Sequence, residues 1–256
     1  MADLRIINKK SSAAARVISK KMEIPIYNGE SDIDAIINYG LCGNHILMLE
    51  NVFPNFRKIP VINKYVGASK FLAVKDAEVA GVKVPETRMS LPMFSTKKDW
   101  IEKKIHSSQG RGIVVASQRK SIPGKYYQRM ITNRRYELRV HAFSWIPVEE
   151  WRVFKRTGDK EVIAWNFAQG GKFSSVENAN VGTFKTAKSM SLNVLDIRHM
   201  AFGAVDFIVD DDLNVYFLEI NSSPGFTALS AEIYFDAMRK LKELSAKEIL
   251  KYTNKV

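Results

Sequence analysis

The chain has 256 residues, 46% of them apolar and 26% charged, which is long and apolar enough for a real hydrophobic core and ordinary for a soluble globular protein. No stretch approaches the roughly 20 apolar residues that span a bilayer, the opening Met1-Ala2-Asp3-Leu4-Arg5 lacks a signal peptide's apolar core, and a single cysteine, Cys42, excludes a disulfide framework and a Cys-based zinc site. The expectation is a cytoplasmic protein with no membrane partner, whose net charge of +12 draws anions such as nucleotides, acidic peptides or nucleic acid.

In chain order, Leu4–Asn8 reads as a short strand and Ser11–Lys20 as a helix with serine caps and a basic end. Ser31 and Asp34 resemble a capping box that opens a second helix to Tyr39, and His45–Leu49 reads as a buried strand. Residues 1–62 are therefore expected to form a small α/β lobe. Ala68–Ala80 reads as a helix stopped by Gly81, followed by an extended Val82–Pro85. Trp100–Lys104 and Gly112–Ser117 read as strands around a Gly-rich loop, and Lys125–Ile131, Arg135–Trp145 and Val148–Arg156 as further strands. Ala168–Phe184 reads as a mobile loop, or as an ordinary surface loop. Ala187–Phe202 is expected to be helical, and Thr227–Ala246 to be an amphipathic helix with Ile233, Met238, Leu241 and Leu244 inward.

The segment with most chemistry lies between the last two helices. Ala204-Val205-Asp206-Phe207-Ile208-Val209 and Asn214-Val215-Tyr216-Phe217-Leu218-Glu219-Ile220-Asn221 flank Asp210-Asp211-Asp212-Leu213, which predicts an antiparallel hairpin with the three consecutive aspartates in its turn. By strict alternation, Glu219 and Asn221 share a face with Phe217. A four-residue turn pairs Asp206 with Glu219, with Cβ atoms about 5 Å apart. Two carboxylates that close repel each other, and a divalent cation resolves the conflict. Asp, Glu and Asn oxygens suit magnesium, so Asp206, Glu219 and Asn221 are the candidate metal ligands. The alternative, a solvated hairpin with charges on its wet face, fits poorly with strands this apolar. The loop Ser222-Ser223-Pro224-Gly225-Phe226 can turn backbone N–H groups toward an anion or simply lead into the last helix.

Val205-Asp206 with Leu218-Glu219-Ile220-Asn221-Ser222-Ser223-Pro224-Gly225-Phe226 resembles the C-terminal signature of the ATP-grasp superfamily, nearest to the RimK-like ligases that add glutamate to a ribosomal protein tail. The resemblance runs from about Asn63 to the last helix. It implies an α+β fold in which a small N-terminal α/β lobe precedes two α+β lobes, 63–128 and 129–256, that clamp ATP between antiparallel sheets. It also implies roles. Lys70 matches a phosphate lysine, although an exposed helix lysine is an equal reading. Lys103 or its neighbour Lys104 matches the strand lysine before a flexible loop, with Ser108, Gln109 and Gly110 over the phosphates. Gln128, Arg129, Met130 and Ile131 match the hinge that binds adenine through its backbone, with Arg129 where most relatives carry Glu. Glu137 matches an acid toward ribose and Arg139 a cation toward the phosphates or acyl group, and Lys155 or Arg156 falls at a further phosphate-side position or on a wet basic strand. His106, His141 and His199 show no catalytic spacing.

The resemblance implies a carboxylate–amine ligase that makes an amide through an acyl phosphate and releases ADP and phosphate. Its cofactors would be ATP and magnesium, with two ions expected and manganese as a substitute. Arg139 and Lys103 would act in catalysis, and the loop over 107–112 would exclude water. The partners implied are a carboxylate donor and an amine acceptor: an amino acid, a peptide or a protein tail. Arg129, Arg134, Arg135, Arg152 and Arg156, close in sequence, could meet such an acceptor. Two further readings stand beside this one: a nucleotide-binding regulatory protein without turnover, and an enzyme of the same scaffold that modifies nucleic acid. A homo-oligomer is compatible with all three.

Overall fold

A computed structural model describes residues 1–9, 12–106, 112–159, 162–163, 165, 171–174, 181–225 and 227–253. The expected loop residues Ser107, Ser108, Gln109, Gly110 and Arg111 lie outside the described residues, as do Ser11, Phe226 and most of 168–184.

Three sheets organise the chain. The first is parallel, in the order β1 (Leu4–Asn8), β2 (Ala35–Tyr39), β3 (Val61–Ile62), with α1 (Ala13–Met22) and α2 (Gly43–Val52) in the connections. Ser12 caps α1 by accepting the Ala15 N–H at 3.2 Å. Two expectations fail here. The helix expected over 31–39 is instead strand β2. Asp34 is tied back to Asp3 by two bonds of 2.8 and 2.9 Å, and the β-branched run after it is buried at every position. The strand expected over His45–Leu49 is instead helix α2. That run buries only Ile46 and leaves Leu47 and Met48 exposed, which suits one turn-facing stripe of a surface helix.

Helix α3 (Lys70–Val79), capped by Ser69, leads to the second sheet, which is antiparallel and ordered β4 (Thr87–Arg88), β7 (Lys125–Arg129), β5 (Trp100–Lys104), β6 (Val114–Val115). Only Val114–Val115 of the strand expected over 112–117 pairs. The third sheet is antiparallel, in the order β10 (Lys172–Ser174), β9 (Arg152–Thr157), β8 (Arg134–Phe143), β11 (Phe202–Asp210), β12 (Val215–Asn221). β9 starts at Arg152, because Pro147 opens a short 3-10 turn over Val148–Glu150. Helix α4 (Val181–Ile197) begins six residues earlier than expected. The chain reverses through His199 in a left-handed conformation, so Phe202 enters β11.

One face of the third sheet, with Leu138, Val140, Val205, Phe207, Val209, Val215 and Phe217, packs on Val74 and Ala77 of α3 and Ala187, Val194 and Leu195 of α4. A second core joins β1, α1 and β2 to Phe143, Trp145, Phe202 and the last long helix, α5 (Ala228–Glu243), whose buried stripe is Tyr234, Phe235, Met238 and Leu241. The short α6 (Ala246–Ile249) follows, and Thr253 pairs with Ile62 at the edge of the first sheet. The first sheet is thus packed onto the third. Asn63 stitches them: its side chain donates to Phe202 O at 2.9 Å and accepts the Ala201 N–H at 2.7 Å. Among the described residues no helix is long and apolar enough to cross a membrane.

Candidate active site

The site grows out of the register of the third sheet. Asp206 on β11 lies directly opposite Glu219 on β12 and, on its other side, opposite Arg139 on β8. The expected register holds from Ala204↔Asn221 to Asp206↔Glu219 and then breaks, because Phe207 pairs with Phe217 and Leu218 is the extra residue of a β-bulge. The expectation that Phe217 shares the face of Glu219 is therefore wrong. Phe217 belongs to the helix-backed core, and the bulge brings Glu219 and Asn221 round to the other face, beside Asp206.

On that second face three carboxylates meet a surplus of cations. Asp206 is 4% exposed and accepts Arg139 Nε at 2.6 Å and Nη2 at 2.7 Å, with Arg156 Nη2 3.4 Å away. Burial works to raise the Asp206 carboxyl, but Arg139 and Arg156 outweigh it and hold the group below the usual carboxylate range. Glu137 is clamped by Arg134 Nη1 at 3.1 Å and Arg156 Nη1 at 2.8 Å. Its burial prevails over both arginines and leaves the carboxyl raised. Of the alternatives Lys155 and Arg156, Arg156 is the one on this face; Lys155 lies over the Tyr136 ring on the other. Arg134, read from sequence as an acceptor contact, is buried. It bonds the carbonyls of Val162 and Ile163 and stacks on Trp165 at 3.7 Å. Arg129, Arg135 and Arg152 are exposed.

Two lysines approach these carboxylates from other elements, one of them in direct contact. Lys70, the first residue of α3, places Nζ 2.5 Å from Glu219 Oε2. Lys103 on β5 donates to Gln128 Oε1 at 2.6 Å, and Gln128 Nε2 donates in turn to Thr87 at 3.1 Å. Burial drives the Lys103 ammonium down to about 8, with the Lys70 charge adding to the effect and Glu219 and Glu137 opposing it. Lys104 points outward, exposed. The second sheet therefore turns Lys103, Gln128 and Tyr126 toward the carboxylate face of the third. The Tyr126 phenol is raised by burial and by Glu219. At the hinge, the Arg129 N–H donates to Glu86 O and the Met130 N–H to Asp99 O, both at 2.8 Å, and the Arg129 side chain lies 3.8 Å from the Glu86 carboxylate. Ile131 follows the end of β7 and is half-buried.

His141 closes one end of the face. Its Nδ1 lies 3.1 Å from the Tyr234 hydroxyl, and burial followed by the Arg139 charge holds it neutral, down to about 3. Beyond β12 the loop is shaped by the first sixty residues, in which the sequence shows no interpretable motif. Asn221 Oδ1 accepts the Ser223 N–H at 3.0 Å, the Tyr39 hydroxyl donates to Pro224 O at 2.9 Å, and Gly40 packs against Ser223. The clue available in the sequence was a Tyr-Gly pair ending a largely apolar run.

Asp206, Glu219 and Asn221 offer the hard oxygen donors that magnesium takes, and the Lys70 ammonium and Arg139 guanidinium already sit on the two carboxylates. The donor types suit such an ion, although among the described residues no three His, Cys, Asp or Glu gather at one point. Asp210, by contrast, is used up in the turn, where it accepts from Asn214 and Tyr216.

A model of the tubulin-tyrosine ligase family matches residues 145–241, less than half of the chain. No curated protein matches the sequence. Solved structures resemble it over most of its length. The ATP-grasp ligase PsnB, complexed with a phosphomimetic variant of its minimal precursor, Mg and ADP, superposes with a TM-score of 0.66 at 12% identity, over 94% of this chain and 100% of that one. D-alanine–D-alanine ligase from Bacillus anthracis complexed with ATP gives 0.63 at 16% identity, over 97% and 98%. The macrocyclase MdnC from Microcystis aeruginosa, bound with the precursor peptide MdnA, gives 0.57 at 14%, over 96% and 100%. With its two facing antiparallel sheets and its bulged carboxylate hairpin, the chain has the ATP-grasp fold.

Proposed function

We propose that the chain is an ATP-dependent carboxylate–amine ligase whose acceptor is a peptide or protein tail. The observation that carries this is the Asp206–Glu219 pair, in register on neighbouring strands and met by Lys70 and Arg139, with Lys103 facing it from the opposing sheet. Such an array holds a triphosphate beside a second anion, the two species that repel each other in ligation. The solved structures that resemble the chain include ligases described with ATP, with Mg and ADP, and with precursor peptides, which supports both the nucleotide and a peptide acceptor.

Asp206, Glu219 and Asn221 would hold magnesium, which supplies charge neutralisation at the phosphates. Lys70 and Lys103 would bind the phosphoryl oxygens, and Arg139 would orient the substrate carboxylate while anchored on Asp206. Gln128 fixes Lys103, and the hinge from Arg129 to Ile131 with Glu137 would frame the nucleoside. A carboxylate oxygen attacks the γ-phosphorus and the bond to ADP breaks. The amine then attacks the acyl carbon, phosphate leaves, and the amine gives up a proton. No enzyme nucleophile is required. Residues 1–62 would form the lobe that frames the acceptor end, 63–128 the lobe that carries Lys103, and 129–256 the lobe that carries the metal ligands.

The test is incubation with ATP, magnesium, mixed amino acids and peptide pools. Phosphate release should accompany a mass gain of one condensed unit on a peptide. Absence of ADP formation with every acid–amine pair would refute the reading.

A further inference from the structure

We infer that the edge of the second sheet left uncovered among the described residues, strand β6 with the neighbouring Met93–Phe94 loop, docks an acidic peptide segment that adds to the sheet as a further strand. β6 ends the order β4-β7-β5-β6, so its outer backbone groups face away from the sheet. Edge strands are usually blunted by charge, proline or a covering element, because they invite another strand. β6 carries two valines, 47% and 42% exposed, one on each face of the sheet. Beside it, Met93 is 77% and Phe94 95% exposed.

That loop is held in place. Leu91 N–H donates to Arg119 O and Arg119 Nη1 to Pro92 O, both at 2.9 Å, and Lys97 Nζ donates to Ser117 O at 3.0 Å. The apolar anchors are thus fixed alongside the segment that follows β6, as pre-organised binding surfaces are.

Charge selects the occupant. The segments 92–99 and 114–120, which carry the anchors and β6, hold Lys97, Lys98, Arg119 and Lys120 against Asp99 alone. Lys98 and Lys120 are exposed beside the anchors. A strand that offers carboxylates toward these lysines and apolar side chains toward Phe94 and the valines matches the edge on every count. Val115 pairs with Ile101, on the same face of the second sheet as Lys103, so the added strand would run along the margin of the cleft. The inference extends the ligase reading by giving a peptide acceptor a place to be held, but binding itself does not depend on that reading.

The experiment is fluorescence anisotropy, without nucleotide, of a labelled peptide of about twelve residues alternating Glu with Val and Leu. It should bind, and affinity should fall about tenfold or more when alternate peptide amides are N-methylated, and again when Phe94→Ser is introduced. A counterpart with Lys for Glu should not bind. Equal affinity of the N-methylated peptide would overturn the inference. So would tighter binding of a single-stranded oligonucleotide of equal charge, or a dimer through β6 that Val114→Lys dissolves. Since no nucleotide is present, a failed ligation assay leaves this result standing, and a failed binding assay leaves the ligase reading standing.

Discussion

Phe217 and Glu219 stand two residues apart on β12 and face opposite sides of the sheet, Phe217 packed among the helices and Glu219 beside Asp206. In a regular strand they would share a side. The bulge at Leu218 makes the difference, adding one residue between the core pair Phe207↔Phe217 and the carboxylate pair Asp206↔Glu219. One strand thereby serves an apolar core over its first half and a charged cleft over its second.

The two carboxylates should differ in what they do for stability. Asp206→Asn leaves Arg139 without its counter-charge in a largely buried setting and Arg156 with Glu137 alone, at a cost of about 3 kcal/mol. Glu219→Gln removes a partner of Lys70 where both side chains are part-exposed, 31% and 20%, at a cost below about 1 kcal/mol. Urea denaturation checks the order. Both variants should lose the gain in ADP affinity that magnesium confers.

Lys103 and Lys104 should separate cleanly. Lys103→Met removes a half-buried ammonium on the cleft face, and Lys104→Met an exposed one. Calorimetry of ADP binding should show a loss of about tenfold or more for the first and little for the second. Equal effects would misplace the nucleotide.

The Lys103 charge also sets a pH dependence. Folding lowers its pKa from about 10.5 to about 8. Between these values the unfolded chain keeps a proton that the folded protein has released, so this group's contribution to stability grows as pH rises through the window and is lost as pH falls through about 8. Nucleotide binding runs the other way and should weaken above about 8 as the cation disappears. Lys103→Arg should flatten that fall, which a pH series of ADP titrations would reveal.

The contact between the first sheet and the Ser222–Gly225 loop should be felt by the acceptor rather than by the nucleotide. Tyr39→Phe deletes the bond to Pro224 O, worth about 1 kcal/mol. Gly40 has φ of +93°, and a Cβ there would collide with Ser223, so Gly40→Ala should cost about 1–3 kcal/mol and displace the loop. Steady-state kinetics should show a raised KM for the acceptor with the KM for ATP near its original value.

The serine cap of the first helix, the hairpin and the pairing of Asp206 with Glu219 were legible because each rests on neighbours in sequence: Ser12 on the residue three ahead, the carboxylates on a turn of defined length. The bulge was not, since nothing in Phe217-Leu218-Glu219 distinguishes an extra residue from a regular one until both faces have partners. Ala35–Tyr39 was misread because Ser31 and Asp34 imitate a cap, whereas Asp34 is held by Asp3, 31 residues away. Of the two partners of Glu137, Arg134 lies three residues back on the same strand, but Arg156 comes from β9, and a counter-ion from another strand leaves no spacing to read. Which of Lys103 and Lys104 turns inward follows from the pleat of β5, and that was ambiguous until its pairing with β7 was known.

The shared core of β1, α1 and β2 with α5 bears on how the chain comes into being. Leu4, Ile6, Ile18 and Ile37 are covered in part by Tyr234, Met238 and Leu241, and Ala2 donates its N–H to Lys242 O at 3.0 Å. During synthesis the opening strands emerge about two hundred residues before the helix that roofs them. Through that interval they hold apolar surface open to water, so β1 and β2 are sealed only once α5, far behind them in the chain, has been made.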